Sequence, residues 1–182
     1  MKKTDFSTLL CPIARSLGKV GEWWSILILR DAFYGLSRFD EFEKSLQIAP
    51  NMLSRRLSDL VDAGLLEKYQ YNEKPPRHAY RLTEVGRDFR PVLWALLEWG
   101  NKHFAEEGEA VRVVHSETRE PADMVLVDRN TGLSLADGPY EVEAGPASGP
   151  GTQYRVAFAA RRRLDPDLKF DPPVPAEKRS AA

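Results

Sequence analysis

Apolar residues recur every three or four positions through most of the first hundred residues, and glycines and prolines interrupt the repeat at a few points. The spacing predicts a first helix over Pro12–Val20, opened by Cys11-Pro12 and broken by Gly21. A second helix, Glu22–Tyr34, carries Trp24, Ile26, Leu27, Ile28 and Leu29, too apolar a run for a solvated surface, and Gly35 ends it. A third, Arg38–Leu46, has Phe39, Phe42 and Leu46 on its inner side, with Ser37–Phe39 either a short strand or its lead-in.

The stretch from Ala49 to Leu66 is the most sharply marked. Pro50 suits a first helical position, where the missing N–H costs nothing, and Gly64 is a natural stop. Leu53, Leu57, Leu60, Val61 and Gly64 fall on one side; Asn51, Ser54, Arg55 and Ser58 fall on or near the other. Arg56 lies on the flank, closer to the apolar stripe than Arg55. The three-residue turn Gln47–Ala49 joins this helix to the one before it, which gives a helix-turn-helix. A packed helix that shows small polar groups and an outward arginine can enter the DNA major groove. There an Arg fork bonds guanine and an Asn amide bonds adenine. Arg55 is therefore assigned to bases, and Arg56 to a phosphate or an internal partner. Taken alone, the same pattern also describes an ordinary surface helix.

Two β-like runs follow, Leu65–Tyr71 and His78–Leu82, joined by Asn72–Arg77, where two prolines point to a loop rather than strand. A hairpin directly after a recognition helix is a wing. Lys74 and Arg77 at its tip, with Lys68, His78 and Arg81 beside them, are candidate phosphate contacts, with a solvated hairpin tip as the alternative. Thr83 then caps a long helix to about Phe104, kinked at Pro91. Phe89, Val92, Leu93, Leu96, Leu97 and Trp99 cover so much of its circumference that a second copy of the chain is the simplest partner, burial under the C-terminal segment being the other reading.

From Glu109 the pattern changes. Val111–His115, Met124–Val127 and Tyr140–Glu143 read as short strands, with a hairpin turn at Asn130–Gly132. Gly145–Gly151 reads as a flexible joint, Tyr154–Leu164 as a strand or a short helix, and Asp165–Ala182 as a disordered tail. The triplet Arg161–Arg163 is either a further phosphate contact or a solvated basic run. The expected fold is α+β and mainly α: a winged helix-turn-helix with a long C-terminal dimerisation helix over 1–108, a small β-rich extension over 109–164, and the tail over 165–182.

Composition sharpens this little. The formal net charge is −1, but residues 1–104 hold 16 Lys and Arg against 13 Asp and Glu, and residues 105–182 hold 10 against 14. The asymmetry runs toward a DNA-binding front and an acidic back. The single cysteine, Cys11, excludes an intrachain disulfide framework and a cysteine-rich zinc site, and fits a reducing cytoplasm. No stretch approaches transmembrane length or a signal peptide. No phosphate loop, G-x-S-x-G, dinucleotide fingerprint or metal-ligand cluster occurs, which argues against an enzyme and against a cofactor.

In the order of its elements and in particular residues, the chain resembles the HxlR-type bacterial transcriptional regulators. Cys11-Pro12, Gly21, Trp24 and Ile26-Leu27-Ile28-Leu29-Arg30 are similar to the family's opening. Leu53-Ser54-x-Arg56-Leu57-x-x-Leu60-x-x-x-Gly64-Leu65 is similar to its helix-turn-helix, and Pro75-Pro76-Arg77-x-x-Tyr80-x-Leu82-Thr83-x-x-Gly86 to its wing and dimer helix. The resemblance covers residues 9 to 104 and implies a homodimer on an inverted-repeat operator in double-stranded DNA. Gly21-Glu22-Trp23-Trp24 departs from the family's Gly-Gly-Lys-Trp, so Trp23 and Trp24 become candidates for a small-molecule effector pocket. Some relatives carry a zinc-ribbon extension; the matching positions here, Thr118, Asp128 and Thr131, lack thiolates, so no metal is expected. Cys11 sits where helix N–H groups favour negative charge, a candidate redox or electrophile sensor as in several relatives, with an inert buried thiol as the alternative. The resulting expectation is a dimeric repressor that answers a small molecule or oxidant stress. The alternative is a winged-helix protein-interaction module without specific DNA binding.

Overall fold

The computed structural model describes residues 10–172. The elements run α1 (Pro12–Val20), α2 (Trp23–Phe33), α3 (Phe39–Leu46), α4 (Pro50–Asp62), β1 (Leu66–Glu73), β2 (Pro76–Leu82), α5 (Glu84–Arg87), α6 (Arg90–Phe104) and α7 (Pro150–Leu164). They fall into two units. One is Lys19–Val125; the other joins the described residues up to Gly18 with those from Leu126 onward, and α1 runs across the division.

The core of the first unit is built by α2, α3 and α4. Ile28 and Leu29, Phe42, and Leu53, Leu57 and Leu60 are completely buried against one another, closed below by Leu65 and Leu66. Each such side chain removed from water contributes roughly 1.5–3 kcal/mol. The apolar stripe anticipated on α4 is therefore the stripe that packs. Helix α4 ends in a Schellman motif: Gly64 adopts φ +72°, its N–H donates to Val61 O at 2.9 Å, and Leu65 N–H donates to Leu60 O at 3.0 Å. Only glycine adopts that φ without strain, so Gly64 sets where the recognition helix stops and the wing begins.

β1 and β2 form one antiparallel sheet, pairing Leu66 with Leu82 and Glu67 with Arg81, with an irregularity between Gln70 and Asn72. The strands extend further than the sequence suggested. Glu73 pairs with Pro76, and the expected six-residue loop shrinks to a turn at Lys74-Pro75. Proline is tolerated as the first residue of a strand in a two-stranded sheet, where no inner neighbour needs its N–H. Ser37–Phe39 resolves into both readings: Arg38 bridges Ala79, and α3 starts immediately after it.

The long helix is two helices. Thr83 Oγ1 accepts from Gly86 N at 3.0 Å and caps α5, which ends at Arg87; Pro91 then stands in the first turn of a separate α6. Gly86 lies against Leu65, in the link between α4 and β1, where a Cβ would come within 2.0 Å of Leu65 O, so the contact between α5 and the start of the wing requires glycine.

The extension differs from its forecast. None of its three expected strands forms. Val111–His115 and Met124–Val127 contribute only isolated bridges, Val114 to Pro121 and Val127 to Ser134, each closing a tight knuckle, and Tyr140–Glu143 is irregular. These short segments bury no residue, so nothing drives a ladder to lengthen. Tyr154–Leu164 belongs to a full 15-residue helix, α7, that begins inside the expected joint at Pro150. Residues 165–172, assigned to a disordered tail, instead fold back on α7: Phe170 packs on Tyr154 and Phe158, with ring centroids 5.4 and 4.9 Å away. The rest of that tail, 173–182, lies outside the described residues.

Candidate nucleic-acid interface

Helix α4 buries Leu53, Leu57 and Leu60 and leaves Asn51, Ser54, Arg55 and Ser58 exposed on the opposite side. The four side chains recur at helical spacing over two turns, so they form one polar ridge. Asn51 Oδ1 accepts from Met52 N at 2.8 Å, which leaves its amide NH₂ outward. Arg55 makes no ion pair among the described residues, so its fork is free.

Arg56 is different. It is 6% exposed, its Nη2 lies 3.1 Å from Glu22 Oε2, and its Nη1 donates to Asp59 Oδ2 at 3.0 Å. Of the two roles considered for it, the internal partner is correct, and Arg56 is removed from the DNA-contacting set. It ties α4 to the N-cap of α2 through Glu22. Sequence reading did not name Glu22 as that partner, because it lies 34 residues away along the chain.

On the wing, Lys68, Lys74, Arg77 and His78 are exposed. Arg81 is also exposed, but its Nε donates to Glu67 Oε1 at 2.6 Å on the paired strand, and its guanidinium lies 5.1 Å from the Tyr69 ring centroid. The Glu67 carboxylate pushes the Arg81 pKa up, and equally it offsets the charge a phosphate would meet. Arg81 is thus already paired within the wing, which the sequence did not show. Arg38, missed from sequence, stacks over Tyr71 at 4.8 Å and joins the start of α3 to the wing. Glu41 anchors the same corner: its Oε2 accepts from Ser37 N and Arg38 N, both at 2.8 Å, and those two N–H groups hold its carboxyl below the usual range.

This arrangement is a winged helix-turn-helix. The model of the HxlR-like helix-turn-helix family matches residues 19–108. A helix-turn-helix-type transcriptional regulator of Mycobacterium bovis, Mb3122, is 38% identical over 146 residues, which cover 80% of this chain and 90% of that protein. The chain belongs to the HxlR-like family. Two solved structures agree. A candidate transcription factor from Pseudomonas aeruginosa, PA1374, is 49% identical with a TM-score of 0.58, over 80% of this chain and 99% of that one. A second, PA1607, is 38% identical with a TM-score of 0.70, over 78% of this chain and 100% of that one. The protein is accordingly a DNA-binding transcriptional regulator and not an enzyme.

The remaining candidates can be placed on this HxlR-like frame. Cys11 is half-buried at the N-terminal end of α1, where its carbonyl accepts from Arg15 N. Trp23 is 73% exposed and Trp24 packs on the core. A cavity lies between α2 and α6, lined among others by Leu27, Phe33, Leu93, Trp94 and Leu97; Trp23 and Trp24 are not among its lining residues. On α6, Leu93 and the preceding Phe89 pack against the core, while Val92, Leu96 and Trp99 are exposed and Leu97 is half-buried. Among the described residues no three His, Cys, Asp or Glu side chains cluster as a metal site. Asp128 Oδ2 accepts from Thr131 Oγ1 at 2.8 Å and from Tyr140 OH at 3.1 Å. These bonds, with one from Asn130 N, hold the Asp128 carboxyl below its ordinary range. In the Arg161–Arg163 triplet, Arg162 donates to Leu168 O and Arg163 pairs with Glu141, so the run is engaged within its own unit. No helix among the described residues is long and apolar enough to cross a membrane.

Proposed function

We propose that the protein acts as a cytoplasmic homodimer that binds an inverted-repeat operator and represses nearby genes until a small molecule or a thiol-reactive oxidant releases it. The observation that carries the proposal is the two-sidedness of α4: Leu53, Leu57 and Leu60 are completely buried on one side, and Asn51, Ser54, Arg55 and Ser58 are exposed on the other, with Met52 and Asp62 exposed beside them. These four side chains read base edges. Lys68, Lys74, Arg77 and His78 grip the flanking backbone, with Arg81 contributing less because of Glu67. The exposed apolar face of α6, with Val92, Leu96 and Trp99, joins two copies and sets the reading helices about 34 Å apart, one turn of the duplex. Cys11 is the site of a thiol response. Footprinting on the DNA beside its own gene tests the reading. Two protected half-sites one helical turn apart are expected. Protection without sequence preference would instead favour a winged helix that uses its surface for a protein partner.

A further inference from the structure

The cavity between α2, α6 and the Val111–Val113 segment lies wholly within the unit Lys19–Val125 and takes no part in the contacts assigned to DNA. It measures about 410 Å³, a size that encloses a small organic molecule. Its walls are mainly apolar and aromatic, with Ile26, Leu27 and Phe33 from α2 facing Leu93, Trp94 and Leu97 from α6. Three arginines, Arg30, Arg90 and Arg112, are among the residues that line it, and no Asp or Glu is.

The three cations are not equivalent. Arg30 is bound to Asp31 Oδ1, at 2.9 Å from Nε and 2.8 Å from Nη2, so a buried carboxylate offsets its charge. Arg90 and Arg112 make no ion pair among the described residues. Arg90 lies 5.2 Å from the Phe33 ring centroid and 5.9 Å from that of Trp94. This contact with two rings places a planar, five-donor group at the edge of an apolar wall. The Val111–Val113 segment is fastened to the same helix, because Val111 O accepts from Asn101 Nδ2 at 2.8 Å.

We infer that this cavity binds a small aromatic carboxylate, its ring system against Leu27, Phe33 and Leu97 and its carboxylate on Arg90 and Arg112. A neutral aromatic would fill the walls but make no charge-assisted bond to the exposed Arg90 and Arg112; a bare inorganic anion would pair with the arginines and leave the walls wet. Only a molecule with both parts meets both demands. The inference names the effector class for the regulator proposed above and rests on that reading for its biological use, while ligand binding itself is measured apart from DNA.

The test is a calorimetric titration of the full chain with 2-naphthoate and with neutral, nearly isosteric 2-naphthamide. Naphthoate is expected to bind saturably, with the amide weaker by about tenfold or more, the usual worth of a hydrogen-bonded charge. Arg90→Gln is expected to lower naphthoate affinity toward that of the amide and leave the amide unchanged. Arg112→Gln, at an exposed position whose loss cannot disturb the core, is expected to weaken naphthoate several-fold (about half the Arg90 effect on a logarithmic scale). Equal affinity for the two probes, binding of neither, or wild-type behaviour in both variants would overturn the inference. Operator binding by the same preparations keeps the two readings apart: protein that takes naphthoate but no operator refutes the regulator proposal alone, and the converse refutes the cavity proposal alone.

Discussion

Helices α4 and α6 begin alike and end as opposites. Both start with proline in the first turn, at Pro50 and Pro91, and both run for about four turns. Helix α4 completely buries Leu53, Leu57 and Leu60. Helix α6 holds more large apolar side chains and buries none, with Val92 48%, Leu96 41% and Trp99 55% exposed. The difference lies in what each helix finds within its own chain. The stripe of α4 meets matching surfaces on α2 and α3, so its polar face is left outward and held still. The inner side of α6 meets the core through Leu93, Leu96 lines the cavity toward α2, and Val92 and Trp99 stay exposed. Apolar content therefore says that a surface will be covered, not by which chain. A helix fixed on its greasy side can read, and a helix greasy on its free side can pair.

The largest effect that separates the two helices is on stability. Leu57→Ala is expected to lower the unfolding free energy by about 2–5 kcal/mol, through lost burial and a cavity the packed core cannot fill. Leu96→Ala is expected to leave unfolding of an isolated chain within about 0.5 kcal/mol of wild type and to weaken self-association instead. Chemical denaturation and sedimentation, each on both variants, read the exchange; a collapse of stability in Leu96→Ala would mean that α6 is buried within its own chain.

Next come the two adjacent arginines of α4. Arg56→Ala leaves Glu22 and Asp59 without their partner, and the expected cost to folding is about 1–3 kcal/mol, below that of a fully buried pair because both carboxylates are partly exposed. Arg55→Ala is expected to leave the denaturation midpoint unchanged. Swapped outcomes would invert the assignment of the two side chains.

A smaller effect belongs to the wing. Lys74→Ala is expected to weaken binding to all duplexes alike and to reduce the slope of log affinity against log salt by about 1. Loss confined to the operator would make Lys74 a base contact.

The smallest concerns pH. The Glu41 carboxyl is held low in the folded chain by the Ser37 and Arg38 N–H groups, so its contribution is present above the unfolded value of about 4.3 and is lost as pH falls through the folded value. Glu41→Gln is expected to flatten the acid limb of stability slightly. Titrated unfolding from neutral to acid pH detects it, and an unchanged limb would leave the corner of α3 and the wing held by other contacts.

The same contrast explains how much was legible beforehand. The start of α4 at Pro50, its Gly64 stop, its buried stripe and the turn before it are local consequences of periodicity and backbone chemistry, and each appears where the pattern places it. Arg56 was ambiguous because its partner, Glu22, is remote in sequence, and a helical wheel shows a flank but not who waits there. Arg81 looked free because the opposing Glu67 depends on strand register. The wing outgrew its expected loop because an edge position forgives Pro76. The strands of the extension failed because alternation predicts a ladder only where something covers one face, and these segments bury nothing. Trp23 and Trp24 were singled out by a departure from a motif, whereas the walls of the cavity come from residues of α2 and α6 that only the fold brings together. What lies within one element was readable; what lies between elements was not.

The claim on which the account turns is that the exposed ridge of α4 reads sequence. Affinity of the wild-type protein and of Arg55→Ala for the operator and for a scrambled duplex, at one fixed salt concentration, tests it directly. The account predicts a loss of about 1–3 kcal/mol on the operator and little change on the scrambled duplex, so that selectivity falls by about tenfold or more. An unchanged ratio between the two duplexes, with folding intact, would contradict it.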